Sequence, residues 1–276
     1  MKVIGLIIVV LTGSLLVYAT VDFPPWGDPF SPASTHVSPR YIEKSVEETD
    51  VPNVVTSVLA DYRGYDTMFE TTVIFGAGVV CFFLLRVIRS EEPEERLYRH
   101  TLTGMTMRIK KADQVSDNLE EFERIDMHWT PHDLIIKTMC RLLIPFIQLF
   151  ALYVIAHGHH SPGGGFQGGV ILGASFILLA ISYDMRTANV RFRERTGGIL
   201  CAIGVLIYAG TGALCLLLGK NFLNYAALAP VLGVNPVMAR SDGIFIVEVG
   251  VGIAVMCTMI WIYNNVSSEG RYDEGL

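Results

Sequence analysis

Charged residues and paired cysteines are both scarce in this sequence. Only 17% of the 276 residues are charged, against about a quarter in soluble domains. The five cysteines lie in or beside apolar stretches and include no C-x-x-C pair, so neither a disulfide framework nor a cysteine-ligated zinc or iron–sulfur site is supported. The net charge of −6 lacks the basic excess of a nucleic-acid-binding protein, and we expect no nucleic-acid partner.

Apolar residues, in contrast, make up 51% of the chain, and the mean hydropathy is +0.43. A single soluble core cannot hide this excess, which predicts a polytopic membrane protein. The first apolar stretch, with Lys2 before it and Val17-Tyr18-Ala19 at its end, also fits a secretory signal peptide. Six stretches are candidates to cross about 30 Å of hydrocarbon as helices: 3–19, 68–88, 134–157, 168–184, 197–219 and 243–263.

The distribution of basic residues tests this count, because cytoplasmic loops carry an excess of Lys and Arg. With the N-terminus inside, the inner segments hold 16 basic residues and the outer segments hold 5. We therefore predict an all-α integral membrane protein with six transmembrane helices and both termini in the cytoplasm.

The predicted spans fall into a 2+4 arrangement. Residues 1–89 form a two-span module, residues 90–133 a cytoplasmic linker, and residues 134–276 a four-span module. The linker is too short to build its own core. Its acidic stretch 113–124 is interpreted as a short amphipathic helix or as plain linker.

The densest motif joins the third and fourth spans on the predicted outer side. The apolar run after it, 170–183, is only 14 residues, or about 21 Å of helix, so the glycine segment must enter the membrane or be packed by protein. Gly165, Gly169 and Gly173 recur every four residues, which would let another helix approach closely. The motif contributes these candidate ion-path residues: His157, His159, His160, Pro162, Gly163, Gly164, Gly165 and Phe166.

Three histidines within this motif allow three interpretations. A metal site is disfavoured because a triplet in a tight turn lacks the spacing of a ligand set. The imidazoles could instead line a polar path and respond to protons near neutral pH. The third interpretation is that they are interfacial residues that merely end a helix.

Two acidic residues fall within predicted spans, where ionisable side chains are costly and therefore functional candidates. Glu70 lies at the outer start of the second span and Glu248 inside the sixth. We predict that both line an entry route for a cation or a proton; the alternative is that each binds a backbone group or an arginine of a partner helix. Ahead of Glu70, Arg63 with Asp61 and Asp66 is predicted to be a charged surface turn that caps the second span.

The stretch 141–173, with its His-Gly-His-x-x-Pro-Gly-Gly-Gly-Phe-Gln-Gly-Gly core, closely resembles the MnhB/MrpB family, which provides one membrane component of Mrp-type sodium/proton antiporters. The stretch 53–70 resembles the C-terminal two-helix part of MrpA, which is a small separate polypeptide in hydrogenase-linked relatives. By this resemblance Glu70 occupies the family's intramembrane Glu, Pro162 and Phe166 occupy characteristic positions of the turn, and Glu248 stands where the family usually has Asp.

The resemblance implies a fusion of two normally adjacent pieces. It implies a noncatalytic membrane subunit of an Mrp-type cation/proton antiporter, or of the Mrp-like module of a membrane-bound hydrogenase or related respiratory complex, in a prokaryotic cell membrane. Its partners would be other Mrp-type subunits, hydrogenase or other redox subunits, and membrane lipid. We expect no cofactor in this chain, with Na⁺ or H⁺ as the transported ion. Two alternatives are a purely structural adaptor and a membrane enzyme that uses the histidines with a metal.

Overall fold

The computed structural model describes residues 2–87, 96–109, 121–124, 134–183 and 185–268, and these are mostly helical. The α-helices are α1 Lys2–Ala19, α2 Ser38–Thr49, α3 Val54–Ser57, α4 Gly64–Phe82, α5 Leu134–Ala156, α6 Gly165–Ser182, α7 Met185–Arg191, α8 Glu194–Leu217, α9 Ala229–Leu232 and α10 Pro236–Ser267. Short 3₁₀ turns cover Thr20–Asp22 and Tyr225–Leu228, and π-helical turns cover Ala33–Val37, Val58–Tyr62 and Phe83–Val87.

Six of the described helices are long and apolar enough to cross a membrane, as predicted. They are α1, α4, α5, α6, α8 and α10. The last begins at Pro236, seven residues before the predicted apolar stretch, because the side chain of Asn235 accepts a hydrogen bond from the Met238 N–H at 2.7 Å. Proline is well suited to the first helical position, since its missing amide hydrogen would have no intrahelical partner there. The helix therefore starts in polar sequence outside the apolar run.

Helix α10 is the centre of the bundle, and α4, α6 and α8 pack around it. Buried residues make up 72% of the most apolar window of α10, whereas none of that window in α1 is buried. The five cysteines are unpaired, and four of them are buried in α5, α8 and α10. A helix surrounded in this way needs small residues at its contacts, because backbones in a membrane bundle approach closely only where side chains are small.

The predicted glycine stripe on α6 faces α10 of the same chain. A Cβ on Gly165 would collide with the Glu248 backbone, and one on Gly169 would lie 2.7 Å from the Gly252 carbonyl oxygen. On the other side of α10, Gly204 of α8 makes a similarly close approach to the Gly250 carbonyl oxygen. The expected close helix approach is confirmed, and it fixes the depth at which Glu248 meets the start of α6.

One end of the bundle carries the turn between α5 and α6, residues 157–164, and is called the turn end. Here the segment before α4 is fastened to the later helices by polar contacts. The Tyr208 hydroxyl donates to the Gly64 carbonyl at 2.9 Å and the Tyr225 hydroxyl to the Ala60 carbonyl at 3.0 Å. Arg240 of α10 binds Asp61 through two hydrogen bonds of 2.7 and 2.6 Å.

The prediction for the charged turn ahead of α4 is wrong for one of its residues. Arg63 does pair with Asp66 in the first turn of α4. Asp61, however, pairs with Arg240, which lies 179 residues later in the chain. A bidentate guanidinium in a sheltered position satisfies both carboxylate oxygens.

The described part of the linker contains a small antiparallel sheet, which the all-α expectation did not include. Its strands are β1 Arg96–His100, β2 Thr106–Ile109 and β3 Phe122–Arg124, in the order β2-β1-β3. Gly104, at φ +68°, provides the left-handed turn residue between β1 and β2. The helix interpretation of residues 113–124 is wrong at Phe122–Arg124, and the rest of that stretch lies outside the described residues.

Candidate functional site

The turn between α5 and α6 depends on glycine for its shape. Gly164 has φ 133° and ψ −168°, a conformation that is essentially restricted to glycine. Gly163 also has a positive φ, 148°. These two residues reverse the chain so that α6 can begin at Gly165.

The carboxylate of Glu248 occupies the space that this turn leaves open. A Cβ on Gly164 would lie 2.5 Å from Oε1 of Glu248, and one on Gly158 would lie 2.8 Å from Oε2. The backbone of Gly165 interacts with this carboxylate. The side chains missing at these glycines therefore create a pocket for a carboxylate at the start of a helix.

One oxygen of this carboxylate is left without a partner. Glu248 is 8% exposed, and its Oε2 has no hydrogen-bond partner among the described residues. Nor is Glu248 in an ion pair with any residue of the described ranges. An unsatisfied buried carboxylate oxygen is costly, so this oxygen is a natural position for a cation, a proton or a water molecule.

A cavity of about 220 Å³ opens beside this carboxylate. Glu70 of α4 and Glu248 of α10 both line it, although they lie in different halves of the sequence. The glycine turn contributes Gly163, Gly165 and Phe166 to the same wall. The remaining lining residues are Val55, Thr56, Leu59, Ala60, Thr67, Gln167, Tyr208, Val247 and Val251.

The helix α3 holds the turn in place through residues that the sequence reasoning missed. The Asn53 side chain donates to the carbonyls of Gly158 and Ser161 at 2.8 and 2.9 Å, and its backbone N–H donates to the His159 carbonyl at 2.9 Å. The Thr56 hydroxyl donates to the Gly158 carbonyl at 2.9 Å. Asn is among the preferred helix N-cap residues, and that signal could have identified Asn53 as the cap of α3.

Not all of the predicted site residues meet at the cavity. His157, His159, His160, Pro162 and Gly164 are absent from its lining. The His157 ring stacks on Tyr153, with centroids 4.4 Å apart, and the His159 ring packs edge-on against Phe245 at 5.9 Å. No group of three or more His, Cys, Asp or Glu residues that could hold a metal occurs in the described ranges.

His159 is the most buried of the three imidazoles and is held in its neutral form. Burial, followed by the neighbouring charge of His160, lowers the pKa of His159 below its usual value of 6.5. Its Nε2 has no hydrogen-bond partner among the described residues. This ring therefore packs as an aromatic side chain near the turn and stays uncharged at neutral pH.

Two family models match consecutive parts of the chain. A model described as a domain related to the MnhB subunit of Na⁺/H⁺ antiporters matches residues 135–261. A model for MbhE, a component of MBH, matches residues 6–98. The first match contains the glycine turn and Glu248, and the second contains Asn53 and Glu70.

Related proteins carry antiporter names. The B-type Na⁺/H⁺ antiporter subunit of Bacillus subtilis (strain 168) is 31% identical over 138 residues, which are 46% of this chain and 93% of the relative. The probable A/B-type K⁺/H⁺ antiporter subunit of Rhizobium meliloti (strain 1021) is 25% identical over 240 residues, or 83% of this chain. This chain spans only 22% of the length of that Rhizobium protein.

Two solved structures share the fold. One is a chain of the membrane-bound sulfane sulfur reductase, an archaeal respiratory membrane complex, with a TM-score of 0.56 at 23% identity, covering 96% of this chain and 97% of that one. The other is a chain of the Mrp complex from Dietzia sp. DQ12-45-1b, with a TM-score of 0.51 at 23% identity, covering 94% and 25%. At this level of identity the likeness extends to the fold alone.

Proposed function

Because the chain belongs to the family of the MnhB subunit of Na⁺/H⁺ antiporters, we propose that it is a noncatalytic membrane subunit of a multisubunit cation/proton antiporter, or of the equivalent ion-translocating module of a membrane-bound respiratory complex. Its partners are then the other antiporter-type subunits and, in the second case, redox subunits. It resides in a prokaryotic cell membrane as a multi-pass protein.

The observation that carries an ion path through this chain is the environment of Glu248. Its buried carboxylate has an unpaired oxygen and lies in the wall of a cavity that Glu70 also lines. Two acidic residues from separate helices at one cavity are expensive in a membrane unless they serve a charged species. A cation or proton entering from the turn end would pass Glu70 and be held transiently at Glu248.

The chemistry of this cavity suits a hard cation or a proton. Carboxylate oxygens are its strongest ligands, and backbone carbonyls of the glycine turn and water would complete the coordination. Binding must remain weak enough for release, as in other conduction sites. In the sequence, every lysine lies outside the predicted spans or at their edges, so partner subunits would supply the lysine relay that drives pumping.

The orientation follows from the distribution of basic residues. The turn end gathers the segments with few Lys and Arg, and we place it at the outer surface with both termini in the cytoplasm. In this arrangement α1 and α4 form a two-span module, and α5, α6, α8 and α10 form a four-span module. The contacts of Asp61, Gly64 and Asn53 with the later helices support a shared outer end for the two modules.

A purely structural adaptor is the competing function, and one observation favours it. Helix α1 is apolar and exposed along its whole length, which leaves a large surface for lipid or for a neighbouring subunit. The glycine stripe of α6, however, already packs against α10 and is therefore not available to bind another polypeptide.

Substitution in an assembled complex separates the two functions. We expect Glu248→Gln and Glu70→Gln each to lower cation-dependent proton exchange in membrane vesicles at least about tenfold, because each removes a charge and keeps the side-chain shape. Glu47→Gln is the matched control, since Glu47 is an exposed surface acid that pairs with Lys44. Wild-type exchange in both cavity variants, with normal assembly, would leave the adaptor as the function.

A further inference from the structure

A second cavity lies between α5, α6 and α7, at the end of the bundle opposite the turn end. Its volume is about 600 Å³, which is within the range of small-ligand pockets. Arg141 in its wall precedes the α5–α6 turn by 16 residues, or about 24 Å of helix, and none of the described residues lines both cavities. Its lining residues are Arg141, Ile144, Pro145, Gln148, Phe176, Leu179, Tyr183, Thr187 and Arg191.

The shape of this cavity follows from the packing of α5 against α6. Near the turn end Gly168 lets α6 touch α5, and a Cβ there would lie 2.9 Å from the Ala151 carbonyl oxygen. Toward the opposite end, larger side chains line the cavity: Phe176 on α6 and Tyr183 directly after it. Pro145 inside α5 removes the amide hydrogen that would bond to the Arg141 carbonyl, so an additional acceptor is left beside the opening.

The wall of the cavity combines basic and apolar side chains. Arg141 and Arg191 are exposed, and neither has an ion-pair partner in the part of the chain that the structure describes. No acidic residue is among the described residues that line the cavity. Lys137, one turn before Arg141, lies over the Tyr183 ring at 4.7 Å and adds a third positive charge nearby.

We propose that this cavity binds the phosphate headgroup of an anionic phospholipid. The guanidinium groups of Arg141 and Arg191 match phosphate oxygens in charge and geometry. The apolar wall formed by Ile144, Phe176 and Leu179 receives the upper part of an acyl chain, which a soluble anion would leave empty. Basic pockets between transmembrane helices on the cytoplasmic side are suited to anionic lipid headgroups.

This site is independent of the proposed ion path, because it lies at the other end of the helices and contains neither Glu70 nor Glu248. We expect the bound lipid to remain with the chain during purification and to stabilise the packing of α5 against α6. The bound lipid would then be a structural part of the surface that α5 presents to its surroundings.

The test is native mass spectrometry of the purified full chain after delipidation, titrated in separate arms with phosphatidylglycerol, phosphatidylcholine and inorganic phosphate. We expect one phosphatidylglycerol to bind at least about tenfold more tightly than phosphatidylcholine, and inorganic phosphate not to displace it at equal concentration. The double variant R141Q/R191Q should lose at least about tenfold in phosphatidylglycerol affinity, the order expected when charge-assisted hydrogen bonds are removed.

The matched control is R193Q/R195Q, which removes two exposed positive charges at the same end of the bundle without touching the cavity lining. Circular dichroism of each variant checks that the helices persist. Equal binding of the two lipids by the wild-type chain would overturn the proposal, and this arm requires no variant. Three other outcomes also overturn the proposal. Displacement by inorganic phosphate would indicate a soluble-anion site, and equal losses of affinity in both double variants would indicate a general effect of surface charge. Absence of any bound lipid would indicate that an acidic group of a neighbouring polypeptide occupies the cavity.

Discussion

We expect the contributions of Asp61 and Arg240, which form an ion pair, to the free energy of unfolding to be strongly coupled. Its two hydrogen bonds measure 2.7 and 2.6 Å, and the side chains are 9% and 24% exposed. Removing one partner of a fully buried pair costs about 3–5 kcal/mol. Because Arg240 is partly exposed and solvent screens the pair, we expect Asp61→Asn and Arg240→Gln each to lower the free energy of unfolding by about 2–3 kcal/mol.

A double-mutant cycle measured by detergent-titrated unfolding of the purified chain isolates the coupling between the two residues. We expect a coupling free energy of about 1.5–3 kcal/mol, the range for hydrogen bonds between charged groups. Arg63 and Asp66 provide the matched control, since the same chemistry occurs there with side chains 59% and 47% exposed. Their coupling should stay below about 0.5 kcal/mol. A value for Asp61 and Arg240 no larger than that of the control pair would refute the reasoning.

Two further predictions concern the turn and the acidic segment before α4. Gly164→Ala places a Cβ 2.5 Å from the Glu248 carboxylate. It also puts alanine in a glycine-only backbone conformation, which costs about 1–3 kcal/mol for other residues. Cation/proton exchange in vesicles should therefore fall at least as far as in the Glu248→Gln variant. Gly198→Ala, with open space around it, should retain wild-type exchange, and normal exchange in both alanine variants would contradict the role of the turn. A hydrogen bond from Tyr62 is the largest of the causes that lower the pKa of Glu48 below its usual 4.5. The ionised Glu48 therefore contributes to stability above that pH, and this contribution is lost as the pH falls through the lowered pKa. Thermal unfolding of Tyr62→Phe should therefore depend less on pH in this acidic range than that of the wild type, and identical slopes would count against the assignment.

The features that were predicted from sequence are those with a local physical signature. Long apolar runs revealed six spans because a membrane helix must satisfy its backbone internally. Gly165, Gly169 and Gly173 revealed a close helix contact by their spacing alone. Glu70 and Glu248 were recognised as unusual because charge inside an apolar run is expensive.

The features that were missed depend on contacts between distant residues. Asp61 was assigned to a surface turn that caps α4, whereas its partner Arg240 becomes a neighbour only after α10 has packed. The strands β1 and β2 are short and rich in Arg and His, so their alternation was hidden within a charged stretch. The burial of His159 against Phe245 likewise depends on packing, and the histidine spacing carries no sign of it.

The polar fastening between the segment before α4 and the later helices is an intramolecular contact, since one chain carries both sides of it. Linking two binding surfaces replaces the cellular concentration of a separate polypeptide with an effective concentration set by the connection. Such a junction stays closed with a modest intrinsic affinity. A few side-chain hydrogen bonds therefore suffice where two separate polypeptides would need a larger interface. One chain also supplies the acid of α4 and the acid of α10 in equal numbers.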